Sequence, residues 1–199
     1  MANEAAKIVA IEHLSLDGVY QAPARGDEDT RHHFTQGGWA IAGNHPGMQE
    51  LIGRYMAGGW SLLAGRTTYE DLFEGWAVRQ PSSPMTQALA NIQKFVVSHN
   101  PHYPLPWTHS TLLADDPVNA IARLKKEHGK TLVIFGSGVL VRSLMKQGLI
   151  DEFLLMIHPL VLGSGHRFFD EAAACSLTLK EATVTGTGVV LAIYQPAGA

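Results

Sequence analysis

The chain is short of several things, and each shortage closes a class of function. It has one cysteine, Cys175, in 199 residues. A single thiol excludes an internal disulfide and any cysteine-based structural zinc site. A reducing, cytoplasmic setting is the simplest expectation, with Cys175, which follows three alanines, buried and inert. No apolar run is long enough to span a bilayer. The start, MANEAAKIVA, lacks the basic segment and long apolar core of a secretory leader. Charged residues make up 17% of the chain, the formal net charge is -3, and no basic cluster occurs. Neither nucleic acid nor an anionic membrane is an expected partner. The ten histidines are scattered. Only His32 and His33 adjoin, no HExxH pair occurs, and no metal is expected. Also missing are the GxGxxG dinucleotide fingerprint, the GxxxxGK[ST] phosphate loop and the GxSxG elbow of α/β-hydrolases.

What is present is a folded chain with 46% hydrophobic residues, enough for one domain with a sizeable core. Strand patterns recur at residues 7–16, 60–64, 94–98, 111–113, 131–135 and 152–158, with helix patterns between them. Pro46 opens one helix, which Gly58-Gly59 ends. Thr67 and Glu70 fit a capping box for a second helix that fails by Gly75. Met85 starts a short helix after the 81–84 loop. Asp116 and Pro117 open another, closed by Gly129. Two strands near 176–185 and 189–194, joined at Gly186-Thr187-Gly188, read as antiparallel. The 21–44 stretch has little periodicity and, at that length, reads as a lid or binding loop or else as disordered, with a short helix near 28–34 as the alternative. The order implies an α/β fold with a mainly parallel central sheet and an antiparallel C-terminal edge.

Two strand-to-helix junctions carry the candidate chemistry: Ala64-Gly65-Arg66-Thr67-Thr68 and Phe135-Gly136-Ser137-Gly138-Val139. Ligands of open α/β sheets sit beyond the carboxyl ends of the strands, where helix N-termini offer N–H groups to phosphates. Ser137 is a natural N-cap. Arg142 and Lys146 suit the negative end of the helix that follows. The planar fork of Arg66 suits a 2′-phosphate, with a surface ion pair as the alternative. Ser98 can donate to the same phosphate or simply cap its strand.

SLDG (15–18), LLAGRTTYE (62–70), FVVSHN (95–100), VIFGSGVLVRSLM (133–145) and HPLVLGSGHRFFD (158–170), in that order, resemble the dihydrofolate-reductase-like superfamily. They are most similar to the branch holding the C-terminal reductase domain of bacterial riboflavin biosynthesis proteins. The resemblance runs from Lys7 to Tyr194. It implies a three-layer fold with an eight-stranded sheet, bound NADPH, and hydride transfer to a small heterocyclic substrate. The implied activity is similar to 5-amino-6-(5-phosphoribosylamino)uracil reductase. Dihydrofolate or pterin reduction, or a non-catalytic nucleotide-binding module, are the alternatives. By position, Gly65, Arg66, Thr67 and Thr68 would hold the adenosine phosphates, and Ser98 and His99 the 2′-phosphate and adenine. Gly136, Ser137, Gly138, Val139 and Leu140 would cradle the pyrophosphate. His13 and Leu14 would lie near the nicotinamide, and Asp17 at the mouth of the substrate site as the catalytic candidate. A homodimer through the C-terminal strands is implied as well. One departure concerns the helix carboxylate that binds pteridine in dihydrofolate reductases. Gln49 stands about there, with Glu50 beside it reading as a surface residue. His158 reads as a structural histidine and Trp107 as packing or interface.

Overall fold

The computed structural model describes residues 6–170 and 174–198. Eight strands form one sheet in the order β4-β3-β2-β5-β1-β6-β8-β7. They are β1 (Ile8–Ser15), β2 (Trp60–Gly65), β3 (Lys94–Val97), β4 (Ser110–Leu113), β5 (Thr131–Phe135), β6 (Glu152–His158), β7 (Leu177–Val184) and β8 (Val190–Pro196). The pairs among β1 to β6 are parallel, and β8 and β7 close the sheet in antiparallel fashion. The expected sheet is therefore the observed one.

Side chains alternate across each strand, so both faces of the parallel region are apolar. On one face Val9, Ile11, Leu62 and Val133 meet Met48 and Leu51 of α1 (Pro46–Met56), Tyr69 of α2 (Arg66–Leu72) and Leu89 of α3 (Pro84–Asn91). On the other, Ile8, Ala10, Leu132 and Ile134 meet Ile121 of α4 (Pro117–Glu127) and Val141 and Leu144 of α5 (Gly138–Met145). The result is helix, sheet and helix in three layers. Trp107 is buried between Tyr69 and Phe73, which makes it packing.

Three local expectations need correction. Thr67 and Glu70 form no capping box: the N-cap of α2 is Gly65, and Glu70 instead binds Arg66 at 2.8 Å and the Tyr103 hydroxyl at 2.9 Å. The helix does not fail at Gly75 but continues as a π turn, Phe73–Val78. Gly75 is buried there against the Arg25 guanidinium, which would lie 2.6 Å from any Cβ. Cys175 is exposed, because the chain runs along the surface before β7. In the 21–44 segment, the ordered turns are two 3₁₀ pieces, Arg31–His33 and Ile41–Gly43.

Candidate active site

A cleft of about 1020 Å³ follows the carboxyl ends of the parallel strands. Along the sheet order it is lined by Ser98 and His99 after β3, Gly65 to Thr68 after β2, Gly136 to Leu140 after β5, and Glu12 and His13 on β1. One cleft thus gathers every expected cofactor-binding residue except Leu14. That side chain points into the core of the second face.

The two junctions are stitched to each other. Ser137 donates its backbone N–H to Thr68 Oγ1 at 3.1 Å, and Ser137 Oγ accepts the Gly65 N–H at 3.0 Å. Ser137 does occupy the N-cap position of α5, but its hydroxyl caps nothing in its own helix. Helices α1, α3 and α4 are capped by the side chains of His45, Ser83 and Asp116. The N-termini of α2 and α5 receive no side-chain cap. Both face the cleft, with N–H groups that a helix cannot satisfy internally.

Gly136 and Ser137 both have positive φ, 57° and 53°. Gly138 is a glycine for another reason: a Cβ would sit 2.7 Å from the Tyr20 ring. Arg66 is half-exposed, bound to Glu70 and lying 5.9 Å over the Tyr103 ring. Ser98 Oγ accepts the Asn100 N–H at 3.1 Å, the strand-end cap. Arg142 lies in the last turn of α5, as expected, and its guanidinium reaches the Phe168 carbonyl and Asp170.

Asp17 does not line the cleft. Its carboxylate accepts from the Ser15 hydroxyl at 2.7 Å and from the N–H groups of Leu162 and Gly163. Those bonds, the Ser15 hydroxyl foremost, hold its pKa down at about 2. These bonds pin the loop at 162–163 to the end of β1. Glu50 is exposed and also outside the cleft, as its surface reading requires.

Beyond the junctions the cleft turns apolar: Ile11, Phe135 and Met156 from the sheet, Ile52 from α1, Leu72 and Trp76 from the second helix, Met85 and Leu89 from α3. The start of the 21–44 segment lines the cleft as well. Arg31 ties it to α2 through Asp29 at 2.6 Å and Asp71 at 3.6 Å. Burial pushes the Asp71 carboxyl up to about 6.

The sequence reading missed Glu12 and the histidine pair. Glu12 is 4% exposed, and burial raises its pKa well above the usual carboxylate range. Its Oε1 accepts the His13 N–H at 3.0 Å, and Oε2 has no hydrogen-bond partner among the described residues. The His13 and His158 rings join at 2.9 Å, and Trp39 packs edge-on against His158. Burial lowers the His13 pKa to about 4, so it is neutral at pH 7. The missed signal was an acid in the middle of an apolar strand, IVAIEHLS. Such a residue is rarely buried without a purpose.

The family model described as the RibD C-terminal domain matches residues 6–191. The chain belongs to this family. Among curated proteins, YwjB of Bacillus subtilis is 32% identical over 66% of this chain and 71% of its own length. YyaP of the same organism is 35% identical over 41% of this chain, a match spanning 44% of YyaP, less than half its length. Among solved structures, a putative riboflavin biosynthesis protein from Shewanella sp. PV-4 superposes with a TM-score of 0.65 at 20% identity, covering 96% of this chain and 98% of that one. Dihydrofolate reductase from Enterococcus faecalis, complexed with NADP(H), gives 0.60 at 17% identity, covering 96% of each chain. At these identities the superpositions show the fold: the RibD C-terminal domain here is a dihydrofolate-reductase-like α/β fold.

Proposed function

We propose that this RibD C-terminal domain protein is an NADPH-dependent reductase acting on a small, flat heterocycle of the pyrimidine or pterin class. The carrying observation is the continuity of the cleft, in which two stitched, uncapped helix N-termini lead into an apolar pocket at β1. The residues present fit a dinucleotide. Free N–H groups at two helix ends suit a diphosphate, and the tight turn at Gly136 lets the backbone come close to it. NADPH, when bound, supplies the hydride. The chain supplies binding, orientation and dryness. The amides after Gly65 and Ser137 hold the diphosphate. Arg66 trades Glu70 for the 2′-phosphate, with Ser98 and His99 beside it. Ile11, Phe135, Trp76 and Met156 exclude water around the reacting ring. Neutral His13 adds no charge there, and Asp17 is ionised with no proton to give.

A phosphorylated pyrimidine would meet Arg25, whose pair with Asp27 at 3.4 Å is looser than the Arg31–Asp29 pair at 2.6 Å. A folate would find no carboxylate on α1 among the cleft residues, which disfavours it. Fluorescence titration tests the cofactor assignment. NADPH should bind more tightly than NADH, and Arg66→Ala should cost roughly 10- to 100-fold in NADPH affinity, the worth of a charge-assisted hydrogen bond. Equal affinities for the two cofactors would remove Arg66 from the site. An NADPH-oxidation screen against pyrimidinones, pterins and folates then names the substrate; binding without turnover on any of them supports the non-catalytic module.

A further inference from the structure

We infer that Glu12 works as a neutral carboxylic acid that donates a hydrogen bond from Oε2 to the amide carbonyl at the nicotinamide end of the bound dinucleotide. The inference rests on the cofactor reading above and adds a residue that decides which way round the dinucleotide lies.

The sheet order places it. From β3 to β2 to β5 to β1 is three neighbouring steps of about 4.8 Å each. With the 2′-phosphate at Arg66 and Ser98 and the diphosphate at the seam between β2 and β5, the next strand along the cleft is β1. There the parallel ladder with β5 ends at Ile11 opposite Phe135, while β1 runs on to Ser15. Glu12 is the first residue beyond that end. Its Oε2 lies 3.9 Å from where a Cβ on Gly136 would be, at the edge of the glycine turn.

An ionised carboxylate here would be buried with one oxygen unbonded. Ionisation at such a site costs far more than keeping the proton. The groups around it do not offset that cost. Glu28 in the facing loop repels a negative charge, and the Tyr20 hydroxyl is engaged with Arg142. His13 next to it is neutral. The amide of Gly136 lowers the pKa slightly without outweighing burial. A protonated Oε2 has a donor to give and no hydrogen-bond partner among the described residues. Nicotinamide carries a carboxamide oxygen, whereas adenine has no carbonyl. Adenine offers only ring nitrogens as acceptors, so the donor favours the nicotinamide end through its carbonyl oxygen without being strictly blind to the other.

The test compares two ligands by isothermal titration calorimetry: NADPH, and adenosine 2′,5′-bisphosphate, which lacks the nicotinamide end. Glu12→Ala should weaken NADPH about three- to tenfold, the range for one neutral hydrogen bond, and leave the bisphosphate within about twofold. Glu12→Gln, which keeps an N–H donor, should bind NADPH like the wild type. NADPH affinity of the wild type should fall as the pH rises through the raised Glu12 pKa, and that of Glu12→Gln should not. This last comparison stands even if Glu12→Ala fails to fold. Unchanged NADPH affinity in both variants with no pH difference overturns the inference, as does an equal loss for both ligands. A wild type that binds the bisphosphate but not NADPH also overturns it. Binding of neither overturns the cofactor reading, and Glu12 with it.

Discussion

At Gly138 one hydrogen atom separates a packed turn from a clash. The Tyr20 ring lies where a methyl group would go, 2.7 Å from the Cβ position. Gly138→Ala should destabilise the protein by about 1–3 kcal/mol, the usual cost of overpacking. Combining it with Tyr20→Ala should return part of that loss in a double-mutant cycle, measured by chemical denaturation. Additive losses would show that the ring is not the obstacle. The Gly-Ser-Gly motif was legible in the sequence as a strand-to-helix turn. Its last glycine answers to a tyrosine over a hundred residues earlier, and nothing local to the motif reports that. Gly43 is a like case, with His158 Nδ1 2.4 Å from its absent Cβ. Asp17 also has partners that the sequence does not report. A conspicuous acid after a strand turned out to be spent on the Leu162 and Gly163 amides, which sit far along the chain.

At the scale of an element, β1 carries two neighbours with opposite pH dependence. Glu12 has a raised pKa, so the stability linked to its proton is present at low pH and lost as the pH rises from the unfolded value toward the folded one. His13 has a lowered pKa, about 4. The unfolded chain therefore takes up a proton that the folded protein refuses, and stability falls as the pH drops from about 6.5 to about 4. His13 alone should contribute about 3 kcal/mol of that acid loss, and buried His158 adds to it in the same direction. Denaturation midpoints at pH 8, 6.5, 5 and 4 check both. Glu12→Gln should gain stability at pH 8 relative to the wild type, because it no longer holds a buried acid. No gain there would mean that Glu12 ionises freely. The strand itself was plain from its β-favouring residues. That it outruns β5, and so exposes residue 12 to a cleft, depends on where another strand stops.

For the molecule as a whole, alternation of strand and helix made the α/β class and the antiparallel close readable. The order of strands in the sheet was not, because neighbours such as β1 and β5 are set by long-range packing rather than by any local period. The family motifs carried the residues of the two junctions that line the cleft, since such turns keep their glycines close together in sequence. The apolar end of the cleft escaped because it is assembled from single apolar residues on α1, α3 and the second helix, each indistinguishable from core. At the far edge of the sheet, β7 is almost entirely solvent-facing, with Leu179 and Val184 at 50% and 66% exposure. An edge of this kind invites strand pairing, and a second copy of the chain is the occupant we propose. Light scattering should give twice the chain mass, and Val184→Lys should shift it toward the monomer. A monomeric wild type would remove the dimer.

The bare N-termini of α2 and α5 have one more consequence. Amides at a helix start that no side chain protects trade their hydrogen for deuterium quickly in the free protein. An anion bound in the seam would slow them, while the start of α1, capped by His45 and not part of the cleft lining, would keep its rate. Deuterium uptake at these two helix ends is thus a built-in occupancy gauge. It reads cofactor binding without a dye, without turnover, and before the substrate has a name.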